Sequence, residues 1–180
     1  MDERIRIGGQ HPFATPAERR SAARRLRGRL VAPVTVWTAG GARDGAGLTV
    51  SSVLVADGQP ARLLGLIDPA SALWEAIEGT EAFVVQALGV GDRALAERFA
   101  EVRPPIRGMF SGLEVTESAW GPVIGGRRPR ASCRLAGSRQ AGYDLLVEGI
   151  IEELEPRELD DPLAWAHGSF RSLRDLDELD

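Results

Sequence analysis

Gly47-Leu48-Thr49-Val50-Ser51-Ser52-Val53-Leu54-Val55 is the stretch on which the reading of this chain turns. Val, Leu and Thr favour a pleated, half-buried strand, and nothing after Gly47 breaks an extended run. Yet Thr49, Ser51 and Ser52 carry hydroxyls where a buried strand keeps aliphatics. Hydroxyls beside backbone N–H groups suit an anionic ligand such as a phosphate-bearing cofactor. The same pattern also describes a strand whose Thr and Ser simply face water.

On the N-terminal side, Leu30 to Thr38 reads as a strand built on Val31, Val34, Val36 and Trp37. Pro33 places it at an edge or marks a strand start. Gly40-Gly41-Ala42-Arg43-Asp44-Gly45 is a hairpin-type turn, so this strand and the hydroxyl strand are expected to pair antiparallel. Further back, Thr15-Pro16-Ala17-Glu18 has the cap, proline and acidic residue of a helix start. That helix should run to about Gly28, with Ala22, Ala23, Leu26 and Leu30 as a thin apolar stripe.

On the C-terminal side, Asp57-Gly58-Gln59-Pro60 turns the chain and Arg62 to Ile67 makes a third strand. Asp68 is placed as N-cap of a short helix, with Pro69 first in it and Gly79 at its end. Free amides at such a junction can bind phosphate, although a capping Asp68 competes with an anion. Ala82 to Leu88 is another strand. Asp92 is placed to cap a helix carrying Leu95, Phe99 and Val102, stopped by Pro104-Pro105. Ile106 to Trp120 lacks a period and reads as a long loop. Strands resume at Pro122–Ile124, Ala131–Leu135, Tyr143–Leu154 and Leu163–Phe170, with Arg127-Arg128-Pro129-Arg130 and Gly137–Gly142 as connections. Many short strands, Gly-rich turns and few short helices predict a mostly-β barrel.

Composition bounds the function. The 180 residues suit a single domain spanning 1–180, and the net charge of −4 offers no basic field for nucleic acid. All 22 basic residues are Arg, which excludes Schiff-base and phosphate-loop lysine chemistry. Cys133 stands alone, so no internal disulfide is available, and His11 and His167 are too few for an all-histidine metal site; no metal is expected. No apolar run reaches the roughly 18–20 residues of a membrane span, and no secretory core opens the chain, so a cytoplasmic location is expected. GxGxxG after a strand, HExxH, GxSxG and P-loop patterns are all missing.

Several segments, in order and spacing, resemble the flavin reductase-like family. They are the N-terminal helix with Arg25-Leu26-Arg27-Gly28-Arg29-Leu30, then Val34-Thr35-Val36-Trp37-Thr38 and Gly47-Leu48-Thr49-Val50-Ser51-Ser52. Ile67-Asp68-Pro69-Ala70-Ser71 and Leu95-Ala96-Glu97-Arg98-Phe99-Ala100 follow. Trp120-Gly121-Pro122-Val123-Ile124, Ser132-Cys133-Arg134-Leu135 and Val147-Glu148-Gly149-Ile150-Ile151 come next, and the series ends at Pro162-Leu163-Ala164-Trp165-Ala166-His167-Gly168-Ser169-Phe170. The resemblance implies an FMN-binding split barrel, Greek-key-like, over residues 15–173, flanked by a flexible N-terminal arm and an acidic C-terminal tail.

It further implies a homodimer that binds FMN or FAD near its interface and takes a hydride from NADH or NADPH, with a monooxygenase as possible consumer of the reduced flavin. Thr49, Val50, Ser51 and Ser52 would lie along the flavin; Asp68, Pro69, Ala70 and Ser71 would lie near its ribityl-phosphate arm. The family often shows Gly-Asp-His where this chain has Gly142-Tyr143-Asp144, so Asp144 falls at the histidine on the nicotinamide side. An ionised carboxylate there donates no hydrogen bond. Asp144 and His167 are therefore the candidate catalytic residues, His167 also as a pocket residue, with Tyr143 as a possible stacking partner. Trp37, Trp74, Trp120 and Trp165 are expected in the core or an interface, Trp165 as a pocket wall. The alternative is a flavin-binding split barrel without NAD(P)H reductase turnover.

Overall fold

The computed structural model describes residues 22–100 and 108–174. The expected helix start at Thr15–Glu18, the Pro104-Pro105 stop, the N-terminal arm and the tail beyond residue 174 lie outside the described residues. The chain opens with α1 (Ala22–Arg27), β1 (Ala32–Pro33), β2 (Thr35–Ala39), β3 (Ala46–Val50), β4 (Val53–Ala56) and β5 (Arg62–Ile67). Then come α2 (Ala72–Thr80), β6 (Ala82–Ala87), α3 (Arg93–Phe99), β7 (Val115–Thr116) and β8 (Val123–Ile124). Two 12-residue strands, β9 (Arg130–Ala141) and β10 (Asp144–Glu155), precede a closing hairpin of β11 (Leu163–Ala166) and β12 (Ser169–Ser172).

Seven strands form one antiparallel sheet in the order β3-β2-β6-β9-β10-β5-β4. Its first and last strands, β3 and β4, are joined by Ser51 and Ser52 alone. The three steps from Val50 to Val53 span about 10 Å at most, so the sheet must curl until its edges lie side by side. The hydroxyl stretch, expected as one strand, is thus two strands with a seam between them. Ser52 makes the crossing: its hydroxyl donates to the Leu66 carbonyl at 3.1 Å and accepts from the Leu66 amide at 3.2 Å. The fold is a mostly-β barrel-like curl with a few short helices.

Aromatic packing fills the curl. Trp37 and Phe83 are wholly buried and stack at 4.9 Å between centroids. Gly65 sits against Trp37 so closely that a Cβ there would come within 2.7 Å of the indole, and Gly149 has the same relation to Phe83. A second buried cluster gathers Phe99 of α3 with Val34, Leu88, Met109 and Phe110. Each fully buried large side chain contributes about 1.5–3 kcal/mol by leaving water.

Several local expectations shift. The Leu30–Thr38 strand is β1, paired with β11, and β2, paired with β3 and β6. Arg62–Ile67 appears as expected, and the Gly40–Gly45 turn joins two antiparallel strands. The N-cap of α2 is Ser71, which accepts from the Trp74 amide, whereas Asp68 accepts from the Ala70 amide one turn earlier. Glu81, at φ 54°, ends that helix and Gly79 lies inside it. Asp92 makes no side-chain cap for α3; it accepts from the Gly89 amide and pairs with Arg128. The segment up to Trp120 contains β7, and its Met109 and Phe110 are core. Gly137 does not open a loop: β9 runs through it and turns only at Gly142-Tyr143. The last strand is a hairpin whose turn is His167-Gly168. The apolar stripe of α1 leaves Leu26 and Leu30 exposed.

Candidate functional site

The outer face of β4, β5 and β10 carries the Arg62–Glu148 ion pair at one end and a patch of leucines at the other, where a solvated face would be polar. Register pairs Leu54 with Leu64 and Leu66 with Leu146 on that face, while Leu63, Ile67 and Val147 point into the curl. A strand apolar on both faces has both faces covered by something. Here the outer leucines floor a cavity of about 610 Å³, with Ser51, Ser52 and Trp165 in its walls. Trp165 is held edge-on to Phe170 at 4.9 Å.

Three pieces of chain converge on this cavity. The β11–β12 turn carries His167 at φ 52° and Gly168 at φ 77°, the left-handed pair that a tight hairpin turn requires. The His167 amide donates to the Gly28 carbonyl at 2.8 Å, tying that turn to the end of α1. Arg27, the last residue of α1, lies 3.9 Å from the carboxylate of Asp144 at the tip of the β9–β10 hairpin. Among the described residues that line the cavity, Arg27 carries the only charge.

The expected site residues distribute unevenly about it. Ser51 and Ser52 line the cavity, and the Ser51 hydroxyl has no partner among the described residues. Thr49 is turned away and donates to the Ala96 carbonyl at 2.7 Å; Val50 is core. Asp68, Ala70 and Ser71 line a separate cavity of about 840 Å³, between α2 and the β2–β3 turn, while Pro69 is exposed. Among the described residues no cation lines that second cavity, and Asp44 and Glu75 join Asp68 there. Anions are disfavoured in such surroundings. His167 is exposed on its turn rather than in a strand, next to the lining residue Gly168. Tyr143 is 96% exposed at the hairpin tip, not packed. Trp165 forms a wall as expected.

Sequence reasoning missed Leu64, Leu66, Leu146 and Arg27. The signal was present in Leu63-Leu64-Gly65-Leu66-Ile67, which is apolar at every position without the alternation of a half-exposed strand. Cys133 is buried and lies away from the cavity lining; burial first, and the charge of Glu152 second, push its thiol up to about 12. Among the described residues no helix is long and apolar enough to cross a membrane.

Volume and chemistry fit a flat, largely apolar ring system with a polar edge: leucine floor, indole wall, a free hydroxyl and the backbone of the seam at one side. The profile of a family described as "Flavin reductase like domain" matches residues 27–174. The FMN reductase (NADH) RutF of Ancylobacter novellus is 29% identical over 141 residues, 76% of this chain and 78% of its own. The reductase component of a 4-hydroxyphenylacetate 3-monooxygenase from Thermus thermophilus is 27% identical over 145 residues, 81% of this chain and 91% of its own. The solved structure of a nitrilotriacetate monooxygenase component B homolog from Mycobacterium thermoresistibile superposes with a TM-score of 0.76 at 23% identity, over 88% of each chain. That last likeness is one of fold.

Proposed function

The chain belongs to the flavin reductase-like family, and from that premise we propose that it is an NAD(P)H:flavin oxidoreductase working at the Ser51–Ser52 cavity, with FMN as flavin and NADH as donor. The observation that carries the placement is the patch of Leu54, Leu64, Leu66 and Leu146 on the outer face of β4, β5 and β10, beside a Ser51 hydroxyl that has no partner among the described residues. When bound, the flavin supplies the redox chemistry by accepting a hydride from the nicotinamide. The chain's own residues do the rest. Leu64, Leu66 and Leu146 exclude water beneath the ring, Trp165 limits its tilt, and Ser51 offers a hydrogen bond to its polar edge. None of these steps asks a side chain to move a proton. The exposed Asp68–Ser71 region receives no role in this reading.

NADH and FMN are supported by the name of the Ancylobacter relative, and delivery of reduced flavin to a monooxygenase by that of the Thermus relative. A homodimer is supported by Leu30, Val31 and Leu54, which rim the cavity and are each more than half exposed in the single chain. A second copy would bury them and close the mouth.

The test is oxidation of NADH and NADPH by purified protein in air, with and without added FMN or FAD. Flavin-dependent turnover above the enzyme-free control, fastest with NADH and FMN, is the expected result. Protein that binds FMN yet gives no turnover with either donor overturns the reductase reading.

A further inference from the structure

We propose that Arg27 is the phosphate-recognising residue of this site, held in waiting by Asp144; the proposal rests on the reading above. The cavity is apolar except for hydroxyls and backbone, so a nucleotide phosphate drawn to it needs a cation, and Arg27 is the one charged side chain among the described lining residues. Its backbone is fixed at the end of α1, where the Leu30 amide donates to the Arg27 carbonyl and the His167 amide to that of Gly28. Asp144 is fixed as well: Gln140 Nε2 donates to the Gly142 carbonyl at 2.8 Å and to the Asp144 carbonyl at 3.2 Å, bracing the hairpin tip.

The pair itself is loose. At 3.9 Å it lies beyond hydrogen-bonding distance, and no guanidinium N–H of Arg27 is hydrogen-bonded among the described residues. Among the described residues nothing competes for the five donors of that guanidinium fork, which match the oxygens of a phosphate better than one distant carboxylate. Asp144 orients the fork at rest and opposes a second anion at the mouth. Arg27 thus supplies binding and Asp144 limits how much negative charge the mouth accepts. The phosphate belongs either to FMN or to the dinucleotide.

The test uses the full chain in wild-type, R27Q, R27K and D144N forms. FMN and riboflavin are titrated by flavin fluorescence, and KM for NADH is measured. If the phosphate is that of the flavin, R27Q weakens FMN about tenfold and leaves riboflavin unchanged; if it is the donor's, KM for NADH rises about tenfold at unchanged kcat. Either result supports the proposal, as does recovery of most of the loss in R27K. D144N should tighten the same ligand and narrow the preference for NADH over NADPH. R27Q that matches wild type for FMN and NADH overturns the proposal. A loss shared equally by riboflavin and not restored by R27K also overturns it, because that pattern marks a structural role. A wild-type protein without NADH turnover sinks the reductase reading separately, and the FMN–riboflavin comparison then decides the role of Arg27.

Discussion

Ser51 and Ser52 are neighbours of one chemical type with opposite duties. Ser52 spends its hydroxyl on both backbone groups of Leu66, while Ser51 keeps its own for the cavity. Ser52→Ala should therefore cost about 1 kcal/mol of stability in a denaturant titration. Ser51→Ala should leave stability unchanged and weaken FMN binding by a few-fold, read by fluorescence. Equal effects of the two substitutions on both readouts would contradict this division. Cys133 gives a prediction in pH. Its native thiol keeps its proton while the unfolded thiol loses its own, so its contribution is fully present below the ordinary value of 9.0 and is lost as pH rises towards about 12. Over that window stability falls by about 1.4 kcal/mol per pH unit relative to Cys133→Ala. A pH slope shared fully by Cys133→Ala would show that the thiol plays no part in it.

Among the elements, the seam and the glycines that let the sheet curl matter most. Gly65→Val would push a branched side chain into the Trp37 indole, and about 2–3 kcal/mol of destabilisation is expected, measured by chemical denaturation. A neutral substitution would mean that Trp37 and Gly65 are not in contact. The strands were legible from composition because Val, Leu and Thr are concentrated where the ladder forms, and the Arg62–Ile67 strand stands at its expected limits. The seam was not legible. Thr49-Val50-Ser51-Ser52-Val53 is extended throughout in local preference, and only the strand order, set by distant pairings, divides it. The Gly137 misreading has a similar cause: one glycine in a strand looks like a turn until its partner strand is known. Half of the candidate site was visible in its hydroxyls. Its leucine floor was visible only as missing alternation, and Arg27 not at all, because a lone Arg in a chain with 22 basic residues carries no signal of its own.

For the molecule as a whole, the apolar rim formed by Leu30, Val31 and Leu54 sets an expectation about assembly. Wild-type protein should run as a dimer by light scattering, and Leu54→Asp should shift it to monomer and weaken FMN binding together. A monomeric wild type with intact FMN affinity would show that one copy completes the site. The two cavities make the location of the flavin the central question, since the sequence resemblance favours residues at both while the chemistry of the walls favours one. The most direct measurement is a crystal structure of the protein with FMN. Ring density over Leu64, Leu66 and Leu146, with Ser51 at its polar edge, is the predicted result. Ring density in the acidic cavity between α2 and the β2–β3 turn would contradict the placement of the site.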